Sequence, residues 1–383
     1  MGAVNLGPGA RLYSGHIHRG TPVSLLRWKA LALRAGAAAA TGILLGGFAV
    51  ATTAAAAPDA TALQAAYDRA QQIFGELPYG KNALGARVAS SGVDPADGAV
   101  TITLANYSDK LAGKLRDRYG ADLVVRPGEL PRLARLRISK SQAQLSRADA
   151  VTPLLEGLCA NETYCSPTRG GVLLEGQSGG SYYHCTATVL GTVSGSPANA
   201  TLTAGHCFDQ SAPVYAGRSN PEIGGYQLGT VSSRRFSGNV DAEAIRWSTG
   251  NTAYNYLNNC VYIYSSDCRR ITGGGGGSVG MAVQKSGITT GITSGTLTRL
   301  NVSVNVADED GTVTQLTNQF ETTACVIPGD SGGPLFSGGL LLGISSSVGG
   351  LNSSGNCTSS TRSYFSTINA SMQAVGFSAR YTP

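Results

Sequence analysis

Two short runs of this 383-residue chain hold the residue types of acyl transfer: Pro328-Gly329-Asp330-Ser331-Gly332-Gly333-Pro334 and, upstream, Thr203-Ala204-Gly205-His206-Cys207. A serine set among glycines can aim its own amide and that of Gly329 at one point, the arrangement a nucleophile needs beside an oxyanion hole. His206 would supply the base. A third group, an acid, must fix the tautomer of His206 and stabilise its imidazolium. Between the two runs the acids are Asp209, Glu222, Asp241, Glu243, Asp267, Asp308, Glu309, Asp310 and Glu321. Asp241 is the best placed. It opens a period-2 stretch in which Ala242 and Ala244 share one face while Asp241, Glu243 and Ile245 share the other. Glu243 is the competitor, read here as a solvated strand residue.

Gly329-Asp330-Ser331-Gly332-Gly333 also fits the serine elbow of the α/β-hydrolases, but that elbow needs a histidine later in the chain. The four histidines are His16, His18, His184 and His206, all upstream of Ser331. His184, beside Cys185, reads as a structural strand residue. Taken together, the serine and histidine runs resemble the chymotrypsin-like serine peptidases, and the segment around Asp241 resembles that family's Asp-x-Ala acid segment. The order His206, Asp241, Ser331, with separations of 35 and 90 residues, is the family's order. The resemblance implies that Ser331 attacks a peptide carbonyl, His206 carries the proton, Asp241 orients His206, and the amides of Gly329 and Ser331 hold the oxyanion. It implies polypeptide substrates and no cofactor. Two other readings are a catalytically silent binding protein of the same fold and a secreted esterase using the same triad.

Val283-Gln284-Lys285-Ser286-Gly287-Ile288-Thr289-Thr290-Gly291 resembles a strand of the bacterial streptogrisin and α-lytic branch, which pairs the acid before the nucleophile with an internal basic side chain. By that resemblance Lys285 partners Asp330. Lysine is a point charge without arginine's fork. The resemblance also places Thr323 at the base of the primary substrate pocket and Ser346 to Val348 on its wall. None of these is acidic, so a preference for Lys or Arg is not expected, and Val348 should favour small or medium apolar side chains.

The net charge of +6 divides unevenly. Residues 1–57 carry five basic and no acidic groups, residues 58–170 carry 14 against 12, and residues 171–383 carry 10 against 11. The excess belongs mostly to the first segment, so no nucleic-acid footprint is expected. Arg27, Lys29 and Arg34 precede the apolar run Ala35 to Val50, and small residues lead to Ala57-Pro58. That reads as a secretory signal over residues 1–57, with a possible N-terminal extension. The apolar run is short for a membrane span, so a secreted, extracellular protein without stable membrane association is expected, a monomer.

Eight cysteines in an exported chain point to four disulfides. The family resemblance pairs Cys185 with Cys207 and Cys325 with Cys357, leaving Cys159–Cys165 and Cys260–Cys268 as local loops. There are no CxxC pairs and few spare histidines, so no metal site is expected.

Residues 58–150 read as a separate small α+β module. A helix is expected over 61–75 with Gly75 as its stop, then a strand at Val100, Ile102 and Leu104. Ser108 caps a second helix that Gly120 ends, and Leu123 to Val125 forms a further strand. Ala134, Leu136 and Ile138 alternate against Arg135, Arg137 and Ser139. Its place between a signal and the nucleophile-bearing part resembles a pro-region, a folding aid or inhibitor of its own enzyme; an accessory domain that stays attached is the alternative. Residues 151–383 turn to short β segments and glycine turns, with Gly273 to Gly277 read as a flexible loop and a final helix through Ile368, Met372 and Val375. The expected fold is all-β: two antiparallel six-stranded barrels with the active site in the cleft between them.

Overall fold

The computed structural model describes residues 58–139, 159–161, 164–165, 169–196, 198–216, 227–248, 260–263 and 268–381. The secretory signal read over 1–57 and the module boundary placed at 150 lie outside the described residues.

The N-terminal module forms around its own apolar cluster. The helix Ala60–Glu76 starts at Asp59, whose carboxylate accepts from Ala62 N at 2.8 Å, and buries Tyr67, Ala70, Ile73 and Phe74 on one side. It runs past Gly75, because glycine only weakens a helix while the proline at 78 ends it. Ser108 caps the helix Asp109–Tyr119 by accepting from Leu111 N at 3.2 Å, and Gly120 leaves it at φ 115°. These two helices share a cluster with Val88, Val100, Ile102, Leu104 and Val125 of the strands Val88–Val93, Val100–Leu104 and Val124–Pro127.

The remainder is built of two large sheets with mostly antiparallel pairing. The nine-stranded sheet holds the strands Leu173–Ser178, Ser181–Thr186, Val189–Val193, Asn199–Thr203, Gln227–Ser237 and Val240–Trp247, among others. In the other, the strands Ala282–Gly287, Gly291–Ala307, Val313–Thr322, Pro334–Ser337, Leu340–Gly349 and Arg362–Thr367 are neighbours. This second sheet totals eleven strands: the six above, the short strands Arg132–Leu133 and Gly273–Gly274, and Val88–Val93, Val100–Leu104 and Val124–Pro127, which join it where Ser90 and Ser91 face Val304 and Ser303 on the long hairpin strand. Edge addition satisfies main-chain groups that would otherwise face solvent. Gly273 to Gly277 is not a loose loop. Gly273 and Gly274 pair with Leu340 and Leu341, and a Cβ on Gly274 or Gly277 would strike Tyr381 or Leu297.

Three disulfides are present among the described side chains: Cys185–Cys207, Cys260–Cys268 and Cys325–Cys357. Cys159 and Cys165 stand opposite one another in a two-stranded ribbon. No helix among the described residues is long and apolar enough to cross a membrane.

The segment 132–138 departs from the sequence reading. It does not extend the module's own layer. Arg132–Leu133 pairs antiparallel with Val348 and Ser347, while Leu136–Ile138 pairs with His184, Tyr183 and Tyr182 of the other sheet. The expected alternation also fails: Ala134 and Arg135 are buried side by side and Leu136 is exposed, because the chain leaves one sheet and joins the other between them.

Candidate active site

Three separate pieces of chain bring Asp241, His206 and Ser331 together. His206 follows the strand Asn199–Thr203, Asp241 is the second residue of the neighbouring strand Val240–Trp247, and Ser331 lies in the turn before Pro334–Ser337. His206 Nε2 is 2.7 Å from Ser331 Oγ, and its Nδ1 is 2.7 Å from Asp241 Oδ2. Asp241 Oδ1 also accepts from the His206 backbone amide at 3.0 Å, so ring and main chain are held by one carboxylate. All three side chains are buried. With Nδ1–H donated to Asp241, Nε2 is left as the acceptor for the serine proton, the tautomer general base catalysis requires.

The cysteine beside the base closes Cys185–Cys207, tying the His206 turn to the strand Ser181–Thr186. The nucleophile turn is tied across to the same half. Thr186 Oγ1 donates to Gly329 O at 2.8 Å, Thr188 Oγ1 to Gly332 O at 2.5 Å, and Thr186 N to Ser331 O at 2.6 Å. Gly329 and Gly332 hold φ of 104° and 85°, and a Cβ on Gly332 would sit 2.0 Å from Thr203 Oγ1. Only glycine accepts both that backbone and that contact.

Asp330 turns inward. Its Oδ2 lies 3.0 Å from Lys285 Nζ, both side chains being fully buried, and accepts from Thr290 Oγ1 at 2.7 Å and Ile327 N at 3.1 Å. Its Oδ1 accepts from Thr289 N and Thr290 N at 3.0 and 3.2 Å. Burial lowers the Lys285 pKa and the Asp330 carboxylate draws it partly back. The Lys285 ammonium also donates to Thr290 Oγ1 and, at 3.3 Å, to Gly291 O.

Glu243 corrects the sequence reading. It is fully buried, not solvated, and its nearest cation, Arg234 Nε, stands 3.9 Å away. Burial pushes its carboxyl well above the ordinary range, with Arg234 pulling the other way. Its carboxylate makes no hydrogen bond to the His206 ring, whose Nδ1 is met by Asp241. His184 sits on the strand Ser181–Thr186, 3.1 Å from Glu175 Oε2.

The chain's own segment 132–138 lies across Ser331, pairing with both sheets. The carbonyl of Ala134 accepts from Gly329 N at 2.7 Å and from Ser331 N at 3.1 Å, and Ala134 N donates to Ser346 O at 3.1 Å. The two amides therefore converge on a peptide carbonyl beside Ser331 Oγ. The Ala134 methyl is buried in one apolar cluster with Ala324, Val326 and Val348. Thr323, expected at the base of the primary substrate pocket, is exposed, its Oγ1 accepting from Thr296 N at 2.9 Å, while its neighbour Ala324 is buried.

Two roles escaped the sequence. Ser346 Oγ donates to Asp241 Oδ2 at 2.5 Å in addition to presenting its carbonyl to Ala134. Ser366 Oγ accepts from Asp241 N at 3.0 Å. An isolated serine in a β run carries no signal of either.

Comparison with known proteins identifies the family. The family described as Trypsin matches residues 172–369. Serine protease 2 of Streptomyces fradiae is 40% identical over 164 residues, 43% of this chain and 84% of that protein. Streptogrisin-A of Streptomyces griseus is 34% identical over 290 residues, 75% of this chain and 81% of that protein, a match too long to lie wholly within 172–383. The solved Cellulomonas bogoriensis chymotrypsin is 31% identical with a TM-score of 0.43, covering 56% of this chain and 98% of that one. A family model that matches more than half of the chain and a relative 34% identical over 81% of its own length show the same thing: the chain belongs to the trypsin family and is a serine endopeptidase.

Proposed function

We propose that Ser331, His206 and Asp241 are the catalytic triad of a secreted endopeptidase made as a precursor, with the Gly329 and Ser331 amides as its oxyanion hole. Ser331 Oγ adds to the carbonyl carbon of the scissile bond and its proton passes to His206 Nε2. The carbonyl oxygen becomes an oxyanion between the two amides, where preorganised donors stabilise the developing charge. Collapse breaks the C–N bond as His206 returns the proton to the leaving nitrogen, and water then hydrolyses the Ser331 ester by the same steps in reverse order. Asp241, held by Ser346, keeps Nε2 facing the serine. Lys285 and Asp330 position the Gly329 and Ser331 amides.

The observation that carries this reading is the reception of the Ala134 carbonyl by Gly329 N and Ser331 N beside a serine bonded to His206. The buried Ala134 methyl, clustered with Val348, supports a small apolar residue before the scissile bond. The separate apolar cluster of the N-terminal module and its threading through the cleft support a pro-region that templates folding and blocks the enzyme, within two β units whose strands form the cleft. Three disulfides and the Streptomyces relatives support export.

The test is intact mass of the secreted protein with and without a fluorophosphonate probe. One covalent adduct, on Ser331, is expected; labelling that persists in Ser331→Ala, or is unchanged in His206→Ala, rejects the assignment.

A further inference from the structure

The segment in the cleft is bound as a substrate on both sides of one peptide bond. Arg132 and Leu133 pair with Val348 and Ser347, the Ala134 carbonyl meets the two amides, and Leu136 pairs with His184. The bond presented to Ser331 is therefore Ala134–Arg135. What lies beyond it is a built pocket for a cation. Arg135 Nη2 donates to both carboxylate oxygens of Asp308, at 2.9 and 2.7 Å, and Nη1 donates to the His206 carbonyl at 2.7 Å. Its guanidinium carbon stands 3.9 Å from the centre of the Tyr183 ring. The Arg135 side chain is only 8% exposed and that of Asp308 25%, so water screens this pair little. Asp308 is itself held at the end of the long hairpin strand: its amide donates to Thr312 O at 2.8 Å, and its Oδ1 accepts from Glu309 N at 2.7 Å. A carboxylate, a carbonyl and an aromatic face around a planar cation select a guanidinium by charge and by shape.

We propose that Asp308, Tyr183 and the His206 carbonyl form a subsite for a basic side chain immediately after the scissile bond, and that the enzyme's first substrate is its own Ala134–Arg135 bond. The preference pairs a small apolar residue on one side of the cut with arginine on the other. It is the reverse of a trypsin-like preference, because the acid lies on the leaving-group side and the pocket before the bond holds a buried methyl. The proposal rests on the triad reading above. In the self-cleavage, Ser331 Oγ bonds to the Ala134 carbonyl carbon, the bond to the Arg135 nitrogen breaks with a proton delivered from His206, and water releases Ala134 as a carboxylate. The products are a new C-terminus at Ala134 and a new N-terminus at Arg135.

The test uses the secreted protein and internally quenched peptides that carry Leu-Ala before the cut and Arg, citrulline, Ala or Glu after it. Citrulline keeps the shape of arginine and removes its charge. The expected result is kcat/KM roughly tenfold or more higher for Arg than for citrulline, a ratio that falls towards one in Asp308→Asn, together with an N-terminus at Arg135 in the first processing product of the precursor. Fluorophosphonate labelling of each variant separates the two levels: labelling lost from the wild type rejects the triad, whereas normal labelling with equal rates for Arg and citrulline overturns the subsite. A triad-dependent first cut at another bond overturns the self-cleavage. If Asp308→Asn does not fold, the wild-type peptide series still decides the subsite.

Discussion

Lys285→Met removes the one ammonium paired with Asp330 and leaves a fully buried carboxylate beneath the nucleophile turn. Breaking a buried pair by deleting one partner costs about 3–5 kcal/mol, since the surviving charge keeps its desolvation penalty. Here Asp330 retains amide donors from Thr289, Thr290 and Ile327 and the hydroxyl of Thr290, so the loss should fall near the lower end, about 3 kcal/mol. Relief comes if Asp330 takes a proton or swings out, and either moves the two amides that flank it. Turnover should therefore fall more than substrate affinity, with kcat reduced and KM changed little. The assay is steady-state hydrolysis of a peptide substrate together with urea unfolding of the variants Lys285→Met, Asp330→Asn and the double variant. Removing both charges leaves no unpaired carboxylate, so the double variant should recover stability relative to Lys285→Met alone. A Lys285→Met enzyme with full kcat, or a double variant no more stable than Lys285→Met, would refute the reasoning.

Asp241→Asn should fold and lose roughly four orders of magnitude in kcat by disturbing the tautomer of His206, while Glu243→Gln should leave kcat nearly unchanged; peptide hydrolysis by the two variants checks this, and the opposite ranking would mean that the wrong carboxylate was assigned. Glu243 also makes a pH prediction. Its folded pKa is raised, so the folded state holds this proton more tightly than the unfolded chain, whose glutamate titrates near pH ~4.3. That contribution is fully present below the unfolded pKa and is lost as pH rises towards the folded one. Glu243→Gln should thus gain stability over the wild type progressively as pH rises above the unfolded pKa, read as urea midpoints, and a constant difference would count against it. A chain beginning near Cys159 should refold to active enzyme poorly unless residues 58–150 are supplied in trans, because non-local strand pairing is slow and the module braces the hairpin edge; equal yields of active enzyme would favour an accessory domain.

The turns at His206 and Ser331 were legible because their signals are local. Gly329 and Gly332 adopt backbones that other residues resist, and the histidine carries its own cysteine, so such runs stand out in a sequence. Helix caps at Asp59 and Ser108 and the alternation of Val100–Leu104 were readable for the same reason. The strand Val88–Val93 was not, since Ser90, Ser91 and Gly92 break the apolar pattern although the whole strand is buried. Glu243 misled by its type: acids are rarely buried without a close partner, and only packing shows that this one is.

By itself the sequence carried the serine and histidine runs, their order along the chain, the cysteines beside them and the change from helical to β-rich pattern. Only the tertiary structure decided which serine supports Asp241, that Thr323 turns outward, and that the segment 132–138 lies across the site. The reason is physical. Ala134 meets Gly329, Ser331 and Ser346 through main-chain amides and carbonyls, which every residue possesses and which leave no trace in side-chain pattern. Arg135 and Asp308, 173 residues apart, become partners only when two sheets close around the strand that joins them.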